Sequence, residues 1–169
     1  MPGTIAPATV FFDLGDTLIF TGPGGVRLRY ADTLDCLQTL QARGYRLGLV
    51  SNGPVGSIPN VLGACGLYGL FDVLAVSQGL GVDKPDARIF RYALDHMGIP
   101  ESEYDRTIMI GSDLAADVAG ANTVGMISVW LDWAPRHSKT PTSEAEIPHH
   151  TIVEPLALLS LLEELEQQL

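Results

Sequence analysis

The chain has 169 residues, 46% of them apolar, and 10 Lys+Arg against 20 Asp+Glu for a formal net charge of −10. At roughly 100–200 residues per domain, this length predicts one domain, with a core large enough to fold without disulfides or a structural metal. Basic residues are few and nowhere clustered, which weighs against a nucleic-acid backbone or an anionic membrane as partner.

In chain order, residues 9–12 read as a β-strand. Residues 21–30 form a small flap, and their Gly22-Pro23-Gly24-Gly25 is turn chemistry. Leu34, Leu37 and Leu40 share a helical face that Asp32 or Thr33 can cap and Gly44 can end. Residues 46–50 are the next strand, 58–66 a short helix with Pro59 in its first turn, and 73–76 a third strand. Asp86 caps a helix whose buried stripe is Ile89, Phe90, Ala93, Leu94 and Met97, and Gly98 stops it. A strand over 107–110, a helix over 114–122 and a strand over 126–131 follow. After a polar, Pro-rich loop at 135–148 come a short strand at 151–153 and an amphipathic helix at 155–168. Strand and helix alternate throughout. That predicts an α/β, three-layer Rossmann-like fold, its mainly parallel sheet covered by helices on both faces.

Cys36 and Cys65 make neither a disulfide framework nor a zinc pattern and read as buried apolar residues. The first ten residues lack the features of a signal peptide. No apolar stretch approaches the ~20 residues of a membrane helix, so a cytoplasmic protein is expected.

Polar residues follow four of the apolar runs: Asp13, Ser51-Asn52-Gly53, Ser77-Gln78-Gly79 and Gly111-Ser112-Asp113. In an open parallel sheet, ligands bind beyond the carboxyl ends of the strands. The four groups are therefore expected to line one site.

Phe11-Phe12-Asp13-Leu14-Gly15-Asp16-Thr17-Leu18, Ser51-Asn52-Gly53, Lys84-Pro85-Asp86 and Gly111-Ser112-Asp113-Leu114-Ala115-Ala116-Asp117 resemble, in order, the four motifs of the haloacid dehalogenase-like hydrolases. The resemblance runs over nearly the whole chain, with a core at about 9–165 inside a single domain over 1–169. Most members of that family pass a phosphoryl group to an aspartate and then to water. The resemblance implies Asp13 as nucleophile, with Ser51, Asn52 and Gly53 holding phosphate oxygens. Lys84 would pair with both nucleophile and phosphate. The implied cofactor is Mg²⁺, held by Asp13, the Gly15 carbonyl and Asp113, with Asp117 binding through water. The implied partner is a phosphorylated substrate.

The chain departs from the family pattern in two places. The family's phosphatases carry a second aspartate two residues after the nucleophile, as general acid and base, and here that residue is Gly15. Losing such a group removes about 10²–10⁴-fold in rate. The fourth motif reads Gly-Ser-Asp where members commonly read Gly-Asp-Ser, moving the acid to Asp113. A cap domain is also missing: only 37 residues separate Asp13 from Ser51 and 30 separate Gly53 from Lys84. An uncapped site takes a large substrate or borrows a neighbouring subunit as lid, so a homo-oligomer is one expectation. Arg27 and Arg29 on the flap are spaced to face one side of an extended segment, where they could touch an anionic substrate or simply form a solvated edge. Two functions stay open: a Mg²⁺-dependent phosphatase slowed by Gly15, or a weakly active or inactive module that binds phosphate or a partner. Carbon–halogen hydrolysis would tolerate Gly15, but the dehalogenases of the family desolvate their substrate under a cap.

Overall fold

The computed structural model describes residues 9–53, 55–134 and 137–168. Six strands form one sheet in the order β5-β4-β1-β6-β7-β8, every neighbouring pair parallel. They are β1 (Thr9–Phe12), β4 (Arg46–Ser51), β5 (Val73–Val76), β6 (Ile108–Gly111), β7 (Ile127–Leu131) and β8 (His150–Ile152). Two more, β2 (Ile19–Gly22) and β3 (Gly25–Leu28), make an antiparallel hairpin of their own. The flap is thus a hairpin whose two-residue turn is Pro23-Gly24, with Gly25 at φ 95°.

The helices are α1 (Thr33–Ala42), α2 (Ile58–Ala64), α3 (Ser77–Leu80), α4 (Ala87–His96), α5 (Ala119–Val124) and α6 (Leu156–Gln168). Side chains on a strand alternate between faces, and β1 shows the result. Val10 and Phe12 join a core with Leu37 and Leu40 of α1 and Leu158 and Leu162 of α6. Phe11 points the other way, into a core with Phe90, Ala93 and Leu94 of α4 and Ala121 of α5. Two apolar layers on either side of one sheet are what the alternating pattern predicted. The α4 helix has the expected start and stop: the Asp86 carboxylate accepts from the Arg88 N–H, and Gly98 leaves at φ 71°.

Connectivity sets where a ligand can bind. From β1 the chain builds outward through β4 and β5, then crosses back to β6 on the other side of β1. The strand order therefore reverses at β1, which opens a crevice beyond the carboxyl ends of β1, β4 and β6. Asp13, Ser51 and Ser112-Asp113 stand at those three ends. Among the described residues no helix is long and apolar enough to cross a membrane.

Candidate active site

Lys84 is the centre of the site. Its side chain is only 2% exposed, yet each of the three N–H donors of its ammonium finds an acceptor. Nζ donates to Asp13 Oδ1 at 2.7 Å, to Asp117 Oδ1 at 2.6 Å and to the Val50 carbonyl at 2.9 Å. Burial alone would drive its pKa down. The charges of Asp117 and Asp13, with their hydrogen bonds, outweigh that and hold it above the ordinary lysine value. Lys84 therefore keeps its proton at neutral pH.

Asp13 leaves the end of β1 with its backbone N–H on the Ile110 carbonyl at 3.0 Å. Its Oδ1 belongs to Lys84, and the buried Thr17 hydroxyl lies 3.1 Å from Oδ2. The carboxylate is thus fixed from both sides at the mouth of the crevice.

Asp117 is 1% exposed and is held by protein hydrogen bonds. Oδ1 braces Lys84, and Oδ2 accepts from the Asp113 N–H at 3.1 Å. Burial and the nearby Asp13 charge push its carboxyl up to about 7, with Lys84 pulling the other way. The backbone explains how it arrives there. Residues 114–118 form a π-helical turn in which the Val118 N–H reaches back to the Asp113 carbonyl. Such wide turns tend to mark functional sites. The carboxylate packs directly against Gly111: a Cβ there would meet Asp117 Oδ2 at 2.2 Å.

Asp113 follows at the start of the same turn. Its Oδ1 accepts from the N–H groups of Ala115 and Ala116, so the carboxylate is the N-cap of that turn. Its Oδ2 is 3.7 Å from His137 Nδ1. The Asn52 side chain and the Gly53 N–H already have protein partners. The Asn52 amide accepts the Lys84 N–H at 2.8 Å and donates to the Lys84 carbonyl at 3.4 Å. The Gly53 N–H goes to Ser77 Oγ at 2.8 Å. Asn52 thus positions Lys84, and Gly53 is tied to Ser77 at the start of α3. Ser51 sits buried at the end of β4, as expected.

The residues expected around Mg²⁺ are oxygen donors. Among the described residues, no three acidic, His or Cys side chains come together as a metal cage. Magnesium does not need one: it usually takes one or two carboxylates, keeps several waters and shares substrate phosphate oxygens. The Asp13 carboxylate, the Gly15 carbonyl and Asp113 Oδ2 are hard oxygen donors of that kind. Both Asp117 oxygens already accept hydrogen bonds from the protein.

Gly15 is the position of the absent second aspartate. A Cβ built on it meets nothing within 4 Å, and its backbone is not left-handed. Asp16 takes the left-handed conformation instead, at φ 60°, with its side chain 7% exposed and Oδ2 3.3 Å from His137 Nε2. His137 thus lies between Asp16 and Asp113. It belongs to the Pro-rich segment that read as surface loop, and no motif in the sequence singled it out.

A parallel sheet thus gathers two acids and a buried lysine at its switch point. The family profile described as haloacid dehalogenase-like hydrolase matches residues 25–125, and the chain belongs to that family. It is 29% identical over 136 residues to a glyceraldehyde 3-phosphate phosphatase of Methanopyrus kandleri, covering 80% of this chain and 57% of that protein. With a pyrimidine 5′-nucleotidase of Escherichia coli it shares 32% identity over 124 residues, covering 73% of this chain and 49% of the relative. A HAD phosphatase structure from Thermococcus onnurineus superposes with a TM-score of 0.69 at 29% identity, covering 80% of this chain and 58% of that one. The chain thus spans about half the length of the curated relatives it matches.

Proposed function

We propose that this chain is a phosphomonoester hydrolase acting through a phospho-Asp13 intermediate. The observation that carries the reading is the Asp13 carboxylate held between Lys84 and Thr17 at the strand-order reversal. An Asp13 oxygen attacks phosphorus and the P–O bond to the alcohol breaks, leaving an alkoxide and an acyl phosphate on Asp13. Water then attacks that phosphorus, releasing inorganic phosphate and restoring the carboxylate. Phosphoryl transfer depends mainly on positioning and on neutralising the equatorial oxygens. As Asp13 is phosphorylated, its negative charge moves outward onto the phosphoryl group. The Lys84 ammonium, braced by Asp117, stays in place to meet it. Ser51, with the backbone N–H groups around Asn52, would hold a phosphate oxygen. Asp13, the Gly15 carbonyl and Asp113 would hold Mg²⁺, which supplies further positive charge to the transferring group. With no carboxyl at residue 15, water must protonate the leaving alkoxide, so leaving groups stable as anions are favoured.

We further read residues 1–169 as one catalytic domain with its core at about 9–165, working in the cytoplasm. The uncapped site admits a neighbouring subunit as lid. A panel of phosphomonoesters assayed with Mg²⁺ on the natural chain and on Asp13→Asn tests the reading. Asp13-dependent turnover is expected, and its absence on every substrate overturns it. Thermal stability with phosphate is expected to fall when a chelator removes Mg²⁺; no change overturns the metal assignment.

Gly15 supports a second reading, a module that binds phosphate or a partner with little or no turnover. Calorimetry would then show phosphate and Mg²⁺ binding in a chain that hydrolyses nothing, and Gly15→Asp would create activity from none.

A further inference from the structure

The flap and the segment after β7 enclose a cavity of about 400 Å³ lined by Phe20, Arg27, Leu28, Arg29 and Trp133. That size suits a small ligand. The Arg29 guanidinium lies 3.6 Å from the centre of the Trp133 ring and 4.4 Å from that of Tyr30. The Arg27 guanidinium sits 5.3 Å from the centre of the Phe20 ring. Phe20, Tyr30 and Trp133 meet edge to face, so the rings brace one another. Stacking fixes the plane of a guanidinium and leaves its N–H edge to bind an anion.

Both arginines lack the partner such a group usually takes. Among the described residues, Arg43, Arg46 and Arg88 meet carboxylates; Arg91 and Arg106 do not, and what sets Arg27 and Arg29 apart is that they share one cavity and rest on aromatic faces. Arg29 Nε is buried without a hydrogen-bond partner. In a chain with twice as many acids as bases, two guanidiniums in one cavity without a carboxylate partner point to an external anion.

The cavity adjoins the catalytic turn. Trp133 Nε1 donates to the Asp16 carbonyl, and the Asp16 N–H goes to the Ile19 carbonyl at 2.8 Å, where the hairpin begins. Gly15, whose Cβ direction is open, stands between Asp13 and Asp16 in the chain. The hairpin that carries both arginines is thereby tied to the turn that follows Asp13.

We propose that Arg27 and Arg29 bind a second anionic group, a carboxylate or a phosphate, on the leaving group. The substrate class is then a small phosphomonoester with an anion at its far end. The inference rests on the phosphatase reading for its substrate but not for its binding site, and the test separates the two.

Three aryl phosphates suit the test, because a phenolate leaves without an acid at residue 15. They are 4-carboxyphenyl phosphate, 1,4-phenylene bisphosphate and the uncharged 4-carbamoylphenyl phosphate. One or both charged esters are expected to show kcat/KM roughly tenfold or more above the carbamoyl ester, the size of a charge-assisted hydrogen bond. Which one gains tells carboxylate from phosphate. In Arg29→Gln and in Arg27→Gln/Arg29→Gln the ratio is expected to fall toward one. Arg29→Lys keeps the charge without the planar fork and is expected to lie between. Calorimetry on Asp13→Asn with the same esters reads the preference without turnover. A preference in binding with no turnover of any ester overturns the phosphatase reading and leaves the anion site standing. Turnover of all three at equal kcat/KM, or a preference that survives the double variant, overturns the anion site.

Discussion

The floor of the site and its rim are built on opposite plans. On the floor, Lys84 and Asp117 are buried, and every donor of the ammonium and both oxygens of Asp117 have protein partners. At the rim, the β2–β3 hairpin is mostly exposed, and its arginines rest on aromatic rings instead of carboxylates. A charge network sealed from water has one arrangement and fixes where chemistry occurs. A rim with unpaired charges can accept whichever ligand supplies the opposite sign. The contrast locates reaction type in the floor and substrate choice in the rim.

The hardest test of the floor is Lys84→Met. It strands Asp117 in the interior, and breaking a buried pair in this way costs about 3 kcal/mol or more in denaturant unfolding. A loss under about 1 kcal/mol, the range of a surface pair, would erase the distinction between floor and rim. Gly15→Asp comes next. The space for the side chain exists, so turnover of alkyl phosphates is expected to rise about 10²-fold, the lower end of general acid–base catalysis. An unchanged rate would mean that something other than the absent acid limits the floor.

Glycine-to-alanine changes sharpen the comparison further. Gly111→Ala drives a methyl into Asp117 and is expected to cost about 1–3 kcal/mol as overpacking, with loss of activity. Gly24→Ala in the flap turn meets nothing within 4 Å and is expected to change stability by no more than about 0.5 kcal/mol. Equal losses at the two positions would contradict the contrast. The smallest effect lies outside both regions. Hydrogen bonds from the Arg88 side chain and backbone hold exposed Asp86 down at about 2, below its ordinary 3.8. A depressed carboxyl stabilises the fold above its unfolded pKa and loses that contribution as pH falls. Thermal midpoints measured from pH 5 to pH 2 should therefore decline more steeply for the natural chain than for Asp86→Ala.

What the sequence revealed followed from how local each signal was. The α4 helix was readable end to end, because Asp86, the apolar stripe and Gly98 each act within a turn or two of their own position. The strand ends bearing Asp13 and Ser51 were readable because a strand between helices is a contiguous apolar run. Lys84 was marked by its motif, though nothing in the sequence showed that it is buried with three acceptors. The partition among acids was hidden. The four-residue spacing of Asp113 and Asp117 does bring them together, but the π-helical turn decides which caps and which braces Lys84. The hairpin pairing of the flap and the place of His137 depend on contacts across the chain. Local pattern does not encode those.

The contact between Gly111 and Asp117 constrains how this site can change over time. The space that a side chain at 111 would need is already filled by the carboxylate from 117. The two positions behave as one unit, with effects that are not additive. A larger residue at 111 becomes tolerable only after 117 has shrunk, and shrinking 117 removes the brace from Lys84. Enlarging 111 without strain therefore takes the anchor from the lysine, a coupling that the open Cβ direction of Gly24 in the rim does not impose.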